Sequence, residues 1–209
     1  MKPNRQEAER LYKRILQAAM LHGQDGVDAA IRETAERDLY FLLTRVLNRP
    51  DMKRDWLYDR CREVQLSPDD HIDLWAREHY KSTIITFGKT IQDILVNPEI
   101  TVGIFSHTRP IAKGFLRQIK NESESNETLK RIWSDVLWDD PENQAPKWSE
   151  DDGIVVKRKS NTKESTVEAW GVVKGQPISK HFSLLVYDDL VTEDSVTPEM
   201  MKKTTHHFR

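Results

Sequence analysis

Cysteine is all but missing from this chain: Cys61 is the only one in 209 residues. An intramolecular disulfide is therefore excluded, and a reducing cytosol is the natural compartment. No stretch approaches the roughly 20 apolar residues that a membrane span needs, which reads as a protein without a membrane. The charged start MKPNRQEAERLYKR has no apolar core behind it, which argues against a secretory signal. Neither sign of charge dominates, with 34 acidic residues against 32 basic and a net charge of -2. A generally basic coat for nucleic acid is excluded, and only a local basic surface is left open. Glycine is scarce as well, at eight residues, and the scarcity matters in one place. The stretch WAREHYKST, residues 75–83, ends in Lys81-Ser82 as a phosphate-binding loop does, but the glycines of Gly-x-x-x-x-Gly-Lys-[Ser/Thr] fall on Trp75 and Tyr80. What the chain does have is 37% hydrophobic and 32% charged residues, enough for one large globular domain with room for a helical appendage.

Residues 5–48 read as helix, with Leu11, Ile15, Ala18 and Ala19 and then Leu39, Leu42, Leu43 and Val46 at helical spacing. Gly23 and Gly26 separate a first helix from a second, which Pro50 ends. A short helix over 56–64 precedes the turn Ser67-Pro-Asp-Asp70. Strands and helices then alternate. Residues 71–75 read as a strand and 82–95 as a helix; 101–106 follow as a strand and 109–120 as a helix, with another helix over 127–137. After the polar loop DDPENQAPKWSEDDG, strands are expected at 154–158, 165–172 and 182–187. This alternation predicts an α/β fold with a mostly parallel, doubly wound sheet. It divides into an N-terminal helical segment, 1–55, and a main domain, 56–209.

A strand, a loop and then a helix is the setting a phosphate-binding loop requires, because the helix N-terminus offers unpaired N–H groups and partial positive charge. In that setting Glu78, His79, Tyr80, Lys81, Ser82 and Thr83 line the phosphates. Lys81 reaches the β- and γ-phosphates, Ser82 ligates Mg²⁺ and Thr83 is the spare hydroxyl. The bland alternative is a surface lysine opening a helix. SLLVYDD, residues 183–189, is an apolar strand ending in two carboxylates, the form of an acidic motif that completes an ATPase site. Asp188 is assigned to Mg²⁺ and Asp189 to the attacking water, with Glu193 a rival base; alternatively the pair caps a loop after a core strand. Both motifs stand at the expected C-terminal ends of strands, where ligands collect in open α/β sheets. His71, His107, His181, His206 and His207 show no metal-ligand spacing, and no zinc site is expected. The tryptophans are expected in the core or an interface. The basic run Lys157-Arg158-Lys159, with Lys163, offers either a contact to a DNA backbone or a solvated strand end.

Taken together, WLYDRCREVQ…HIDLWAREHYKST, TVGIFSHTRPIAKGFLRQIKNE and TVEAWGVVKGQPISKHFSLLVYDDLVTEDSV resemble the N-terminal ATPase domain of the large terminase subunit of tailed bacteriophages. That family often carries a loop of the form Pro-Arg-Gly-His-x-Lys-Ser, matched here by Arg77, His79, Lys81 and Ser82, with Ala76 and Glu78 in place of the Pro and Gly. The resemblance covers residues 56–200. It implies a P-loop NTPase of the additional-strand type, ATP and Mg²⁺ as cofactors, and ATP hydrolysis coupled to packaging double-stranded DNA into procapsids. It also implies a portal protein and a small terminase subunit as partners, a homo-oligomeric ring formed only on assembly, and the host cytoplasm as location. It gives Arg77 a role in sensing or stabilising the γ-phosphate, His79 one in shaping the loop, and Gln65 one in recognising adenine. Family members continue into a coupling segment, a lid and a nuclease domain, for which the residues after Asp189 are too few; the expectation is a truncated ATPase half without nuclease activity. Two other readings stand beside it: another DNA-dependent ATPase, and a degenerate P-loop module that only binds.

Overall fold

A computed structural model describes residues 3–66, 72–76, 78–174, 177, 179–190, 197–198 and 202. The chain forms two compact units, Met1–Val96 with Asn126–Ser134, and Asn97–Ser125 with Asp135–Arg209.

The first unit is helical. Helix α1 (Arg5–Ala19) begins in a capping box, Asn4 accepting from the Glu7 N–H at 3.0 Å and Glu7 accepting from the Asn4 N–H at 2.9 Å. The expected break follows at Gly23, whose φ of 72° is open to glycine at little cost, and α2 (Gly23–Arg37) starts there. Gly26 lies inside α2 and serves the break by its lack of a side chain: a Cβ there would sit 2.5 Å from His22 Cβ and 2.8 Å from Ala19 O. The second break is at Asp38, where the backbone is extended. The Asp38 carboxylate caps α3 (Leu39–Phe41) by accepting from the Phe41 N–H at 3.0 Å, and it also accepts from the Tyr12 hydroxyl at 2.6 Å. Burial, reinforced by that carboxylate, pushes the Tyr12 phenol's pKa far up. Helix α3 runs into a π-helical turn, Leu42–Val46, and α4 (Asp55–Leu66) follows. A second π-helical stretch, Thr83–Lys89, continues as α5 (Thr90–Val96). Leu39, Tyr40, Phe41, Leu43, Leu57, Ile84, Phe87 and Trp133 close the core of this unit.

The second unit is a five-stranded sheet in the order β2-β3-β4-β1-β5, with α6 (Arg109–Ser125) packed on β1 and β4. The strands are β1 (Val102–Thr108), β2 (Trp148–Ser149), β3 (Gly153–Ile154), β4 (Val167–Lys174) and β5 (Leu184–Tyr187). Both β4 and β5 run parallel to β1, as the alternation of elements predicts. The sheet as a whole is nevertheless mixed, not purely parallel. β2 and β3 are joined by a tight turn, which only antiparallel strands permit, and β3 is antiparallel to β4. The strand expected over 154–158 shrinks to Gly153–Ile154: the Val155 N–H still donates to Lys147 O at 3.0 Å in the β2–β3 register, but the Val156 N–H turns to the Thr166 hydroxyl at 3.2 Å and that of Lys157 to Val136 O at 2.8 Å. Val155 and Val156 are buried all the same, so their apolar character signals core rather than strand. The helix expected over 127–137 stops at Ile132 (α7, Glu127–Ile132), and α8 (Pro141–Gln144) interrupts the long polar loop. Among the described residues no helix is long and apolar enough to cross a membrane.

Candidate phosphate-binding loop and carboxylate pair

The loop ahead of the Thr83 helix lies in the first unit. Its approach is not the strand that its alternating apolar residues predict. Residues 72–76 are irregular, and Ile72 and Leu74 are 82% and 91% exposed. Alternation supplies one apolar face, but a strand also needs a neighbour to receive its backbone hydrogen bonds, and among the described residues no strand pairs with this segment. His71 and Arg77 lie outside the described residues, so the role the resemblance gives Arg77 has no geometry here.

The loop proper is held against α4. The Trp56 ring is 5.5 Å from the ring of His79 and 6.4 Å from that of Tyr80, centroid to centroid. The Arg60 guanidinium stands over Trp75 at 5.2 Å and that of Arg54 over Tyr80 at 6.0 Å. Trp133 is wholly buried, as expected of the tryptophans, but Trp56 is 38% exposed beside the loop. The backbone departs from ordinary L-residue geometry at two positions. Glu78 has φ of 63° and Tyr80 φ of 60°, both left-handed. Such a conformation costs roughly 1–2 kcal/mol in a residue with a Cβ. Tyr80 stands where the phosphate-loop pattern has glycine, and Glu78 where the variant terminase loop has it. The chain thus adopts at both sites the backbone that glycine would serve, without the glycine.

Helical geometry starts directly after Tyr80, whose carbonyl accepts from the Ile84 N–H at 2.9 Å. The Ser82 side chain makes no capping hydrogen bond to the π-helical stretch that follows it. The N–H groups of Lys81, Ser82 and Thr83 precede the first hydrogen bond of the helix, from the Ile84 N–H to Tyr80 O, and belong to its first turn. Lys81, Ser82 and Thr83 are half-buried, and Glu78 and His79 are exposed. The helix is fixed from behind by Ile84, Phe87 and Gly88; a Cβ on Gly88 would sit 2.6 Å from Leu43 Cδ2.

Gln65 is occupied elsewhere in this unit. Its side-chain carbonyl accepts from the Leu39 N–H at 3.1 Å and its amide donates to Arg37 O at 2.6 Å, so it braces the bend between α2 and α3. Gln65→Ala is expected to lower unfolding free energy by about 1–3 kcal/mol, the cost of stranding those two backbone groups, as read by chemical denaturation. A change below 0.5 kcal/mol would show that the brace contributes nothing.

The carboxylate pair belongs to the second unit, at the C-terminal end of β5. Asp188 is 1% exposed and its N–H donates to Phe105 O at 2.9 Å. Asp189 is exposed, with φ of 50°, a conformation that aspartate tolerates better than most residues. The Asp189 carbonyl accepts from the His107 N–H at 3.2 Å and from the Ser106 hydroxyl at 3.4 Å. The chain leaves β1 for β4 on one side and comes back to β5 on the other, so these residues sit at the switch point of the parallel strands. Ser106 and His107 were not candidates by sequence. Only the β1–β5 register, which no local pattern reveals, brings them to Asp189. Glu193 lies outside the described residues. Among the described residues no group of three or more His, Cys, Asp and Glu side chains is placed to hold a metal ion. The buried Asp188 carboxylate still fits Mg²⁺, which keeps several waters and takes one or two carboxylates besides substrate phosphates. No protein-family model, curated protein or solved structure matches the chain.

Proposed function

We propose that the chain is a nucleotide-binding domain of the P-loop class, working as the ATPase of a terminase large subunit that drives double-stranded DNA into procapsids. The observation that carries this reading is the left-handed backbone at Glu78 and Tyr80 directly before a helix N-terminus. Strained backbone persists where the fold or the function requires it, and left-handed residues directly before a helix N-terminus, where an anion is favoured, support this reading. Lys81 neutralises phosphate charge, and Ser82 and Thr83 supply hydroxyls. Asp188 would hold Mg²⁺, and Asp189 would orient or deprotonate the attacking water. Bound Mg²⁺ supplies charge neutralisation to the phosphates. A ring of copies, a portal protein and a small subunit belong to this reading as partners. A second reading, a module that binds nucleotide without turning it over, is favoured by the irregular backbone at 72–76, where a phosphate loop normally rests on a strand.

Tyr80 provides the test. Tyr80→Gly is expected to keep the thermal stabilisation by Mg-ATP, because glycine adopts the same φ freely. Tyr80→Val is expected to lose it, because a β-branched residue resists φ near 60°. If Mg-ATP leaves the melting temperature of the parent protein unmoved, or if the valine variant responds as the parent does, the reading fails.

A further inference from the structure

The loop between β3 and β4 carries four cations within seven residues, Lys157, Arg158, Lys159 and Lys163. Its backbone directs two successive N–H groups at one anion. Lys159 donates to Glu99 Oε1 at 2.7 Å and Ser160 to Glu99 Oε2 at 3.0 Å. Consecutive N–H groups converging on two oxygens of one group make the concavity that accepts phosphate and other oxyanions. The hydroxyl of Ser160, the two N–H groups and the charge of Arg158 hold the exposed Glu99 carboxyl below the usual carboxylate range. Arg158 also has capacity to spare. Its Nη2 donates to Thr162 O at 3.3 Å and Glu164 O at 2.6 Å, while Nε and Nη1 are buried and meet no acceptor among the described residues. A buried cationic donor without an acceptor calls for an explanation, and an arriving group with several oxygens supplies one.

We propose that the Lys159 and Ser160 N–H groups together with Arg158 form a binding site for a phosphate group, which Glu99 occupies in this structure as an internal stand-in. The site is independent of the nucleotide reading. A free phosphate and the phosphate of a nucleic-acid backbone share the chemistry it recognises. Lys157, Lys159 and Lys163 extend the positive charge along the loop, as a backbone ligand needs.

The experiment is an amide NMR titration of the full chain and of Glu99→Gln, with inorganic phosphate in one arm and a 20-base-pair duplex in the other, at constant ionic strength. The glutamine keeps the shape of the side chain and removes the competing charge. Phosphate is expected to shift the Lys159 and Ser160 amides in E99Q with an affinity about tenfold above that of the parent. Shifts of the same amides by the duplex at lower phosphate concentration, weakening steeply with salt, assign the site to nucleic acid; shifts by inorganic phosphate alone assign it to a free phosphate. Arg158→Lys keeps the charge and loses the planar fork, and is expected to weaken phosphate in either case. Two results overturn the proposal: no shift of these amides in E99Q with either ligand, or unchanged affinity in a folded Arg158→Lys protein.

Discussion

In the Lys81→Ala variant, Mg-ATP is expected to leave the melting temperature where it stands without nucleotide. In the parent protein, nucleotide at a hundred times its Kd stabilises the fold by about 2.7 kcal/mol, roughly 5–11 °C for a chain of this size. Lys81 opens the helix after Tyr80, and no other lysine lies between residues 54 and 88. Its half-exposed position makes alanine tolerable without ligand, with a change expected within about 0.5 kcal/mol. Asp189→Asn separates binding from turnover. Asparagine accepts the left-handed φ of 50° at that site as aspartate does, so the Ser106 and His107 contacts to its carbonyl persist. The amide cannot take a proton from water. Phosphate release is therefore expected to fall by about 10²–10⁴ while the thermal shift remains. A Lys81→Ala protein that still responds to Mg-ATP would remove the loop from the binding site, and an Asp189→Asn protein with full turnover would remove Asp189 from the chemistry.

The second large effect concerns the fold. Gly153→Ala is expected to destabilise the protein by about 3 kcal/mol, the sum of a left-handed φ and overpacking, lowering the melting temperature by roughly 6–12 °C. Gly153 has φ of 86°, and a Cβ there would lie 2.4 Å from Val167 O and 2.9 Å from Glu168 Cγ. The obstacle is the backbone of β4 itself, at the Ile154–Val167 bridge that joins the antiparallel part of the sheet to the parallel part. Gly23→Ala is the control. It shares a positive φ of 72° but has nothing within 4 Å of the added carbon, so only the conformational cost of about 1–2 kcal/mol is expected. Equal melting temperatures for the two variants would show that the close approach at Gly153 is relieved at no cost.

The sequence displays those elements whose side chains alone settle their state. Helices α1, α4 and α6 show their apolar spacing, and the runs Val102–Thr108 and Leu184–Tyr187 are strands on the strength of β-branched and aromatic residues in series. Residues 72–76 show where such reasoning stops: the alternation is present, but a strand exists only with a partner, and pairing is not encoded locally. The same limit hid Ser106 and His107. At the loop, Lys81-Ser82 is legible as a motif, whereas the conformation of Glu78 and Tyr80 is not, because neither residue type prefers positive φ. The missing glycines read as an objection, and the backbone takes the glycine-like turn without them.

The path of the chain through its two units has a consequence for synthesis. After β1 and α6 the chain turns back to complete the helical unit with residues 126–134 before it supplies β4. β1 lies between its two parallel neighbours β4 and β5, yet the first of them to be made, β4, starts at Val167, 59 residues after β1 ends at Thr108. At about 5–20 residues per second, the ribosome leaves the apolar run Val102–Phe105 without either flanking strand for roughly 3–12 s. Helix α6 is made directly after β1 and packs on it, which gives its buried face of Ala112, Leu116 and Ile119 a protective duty during translation.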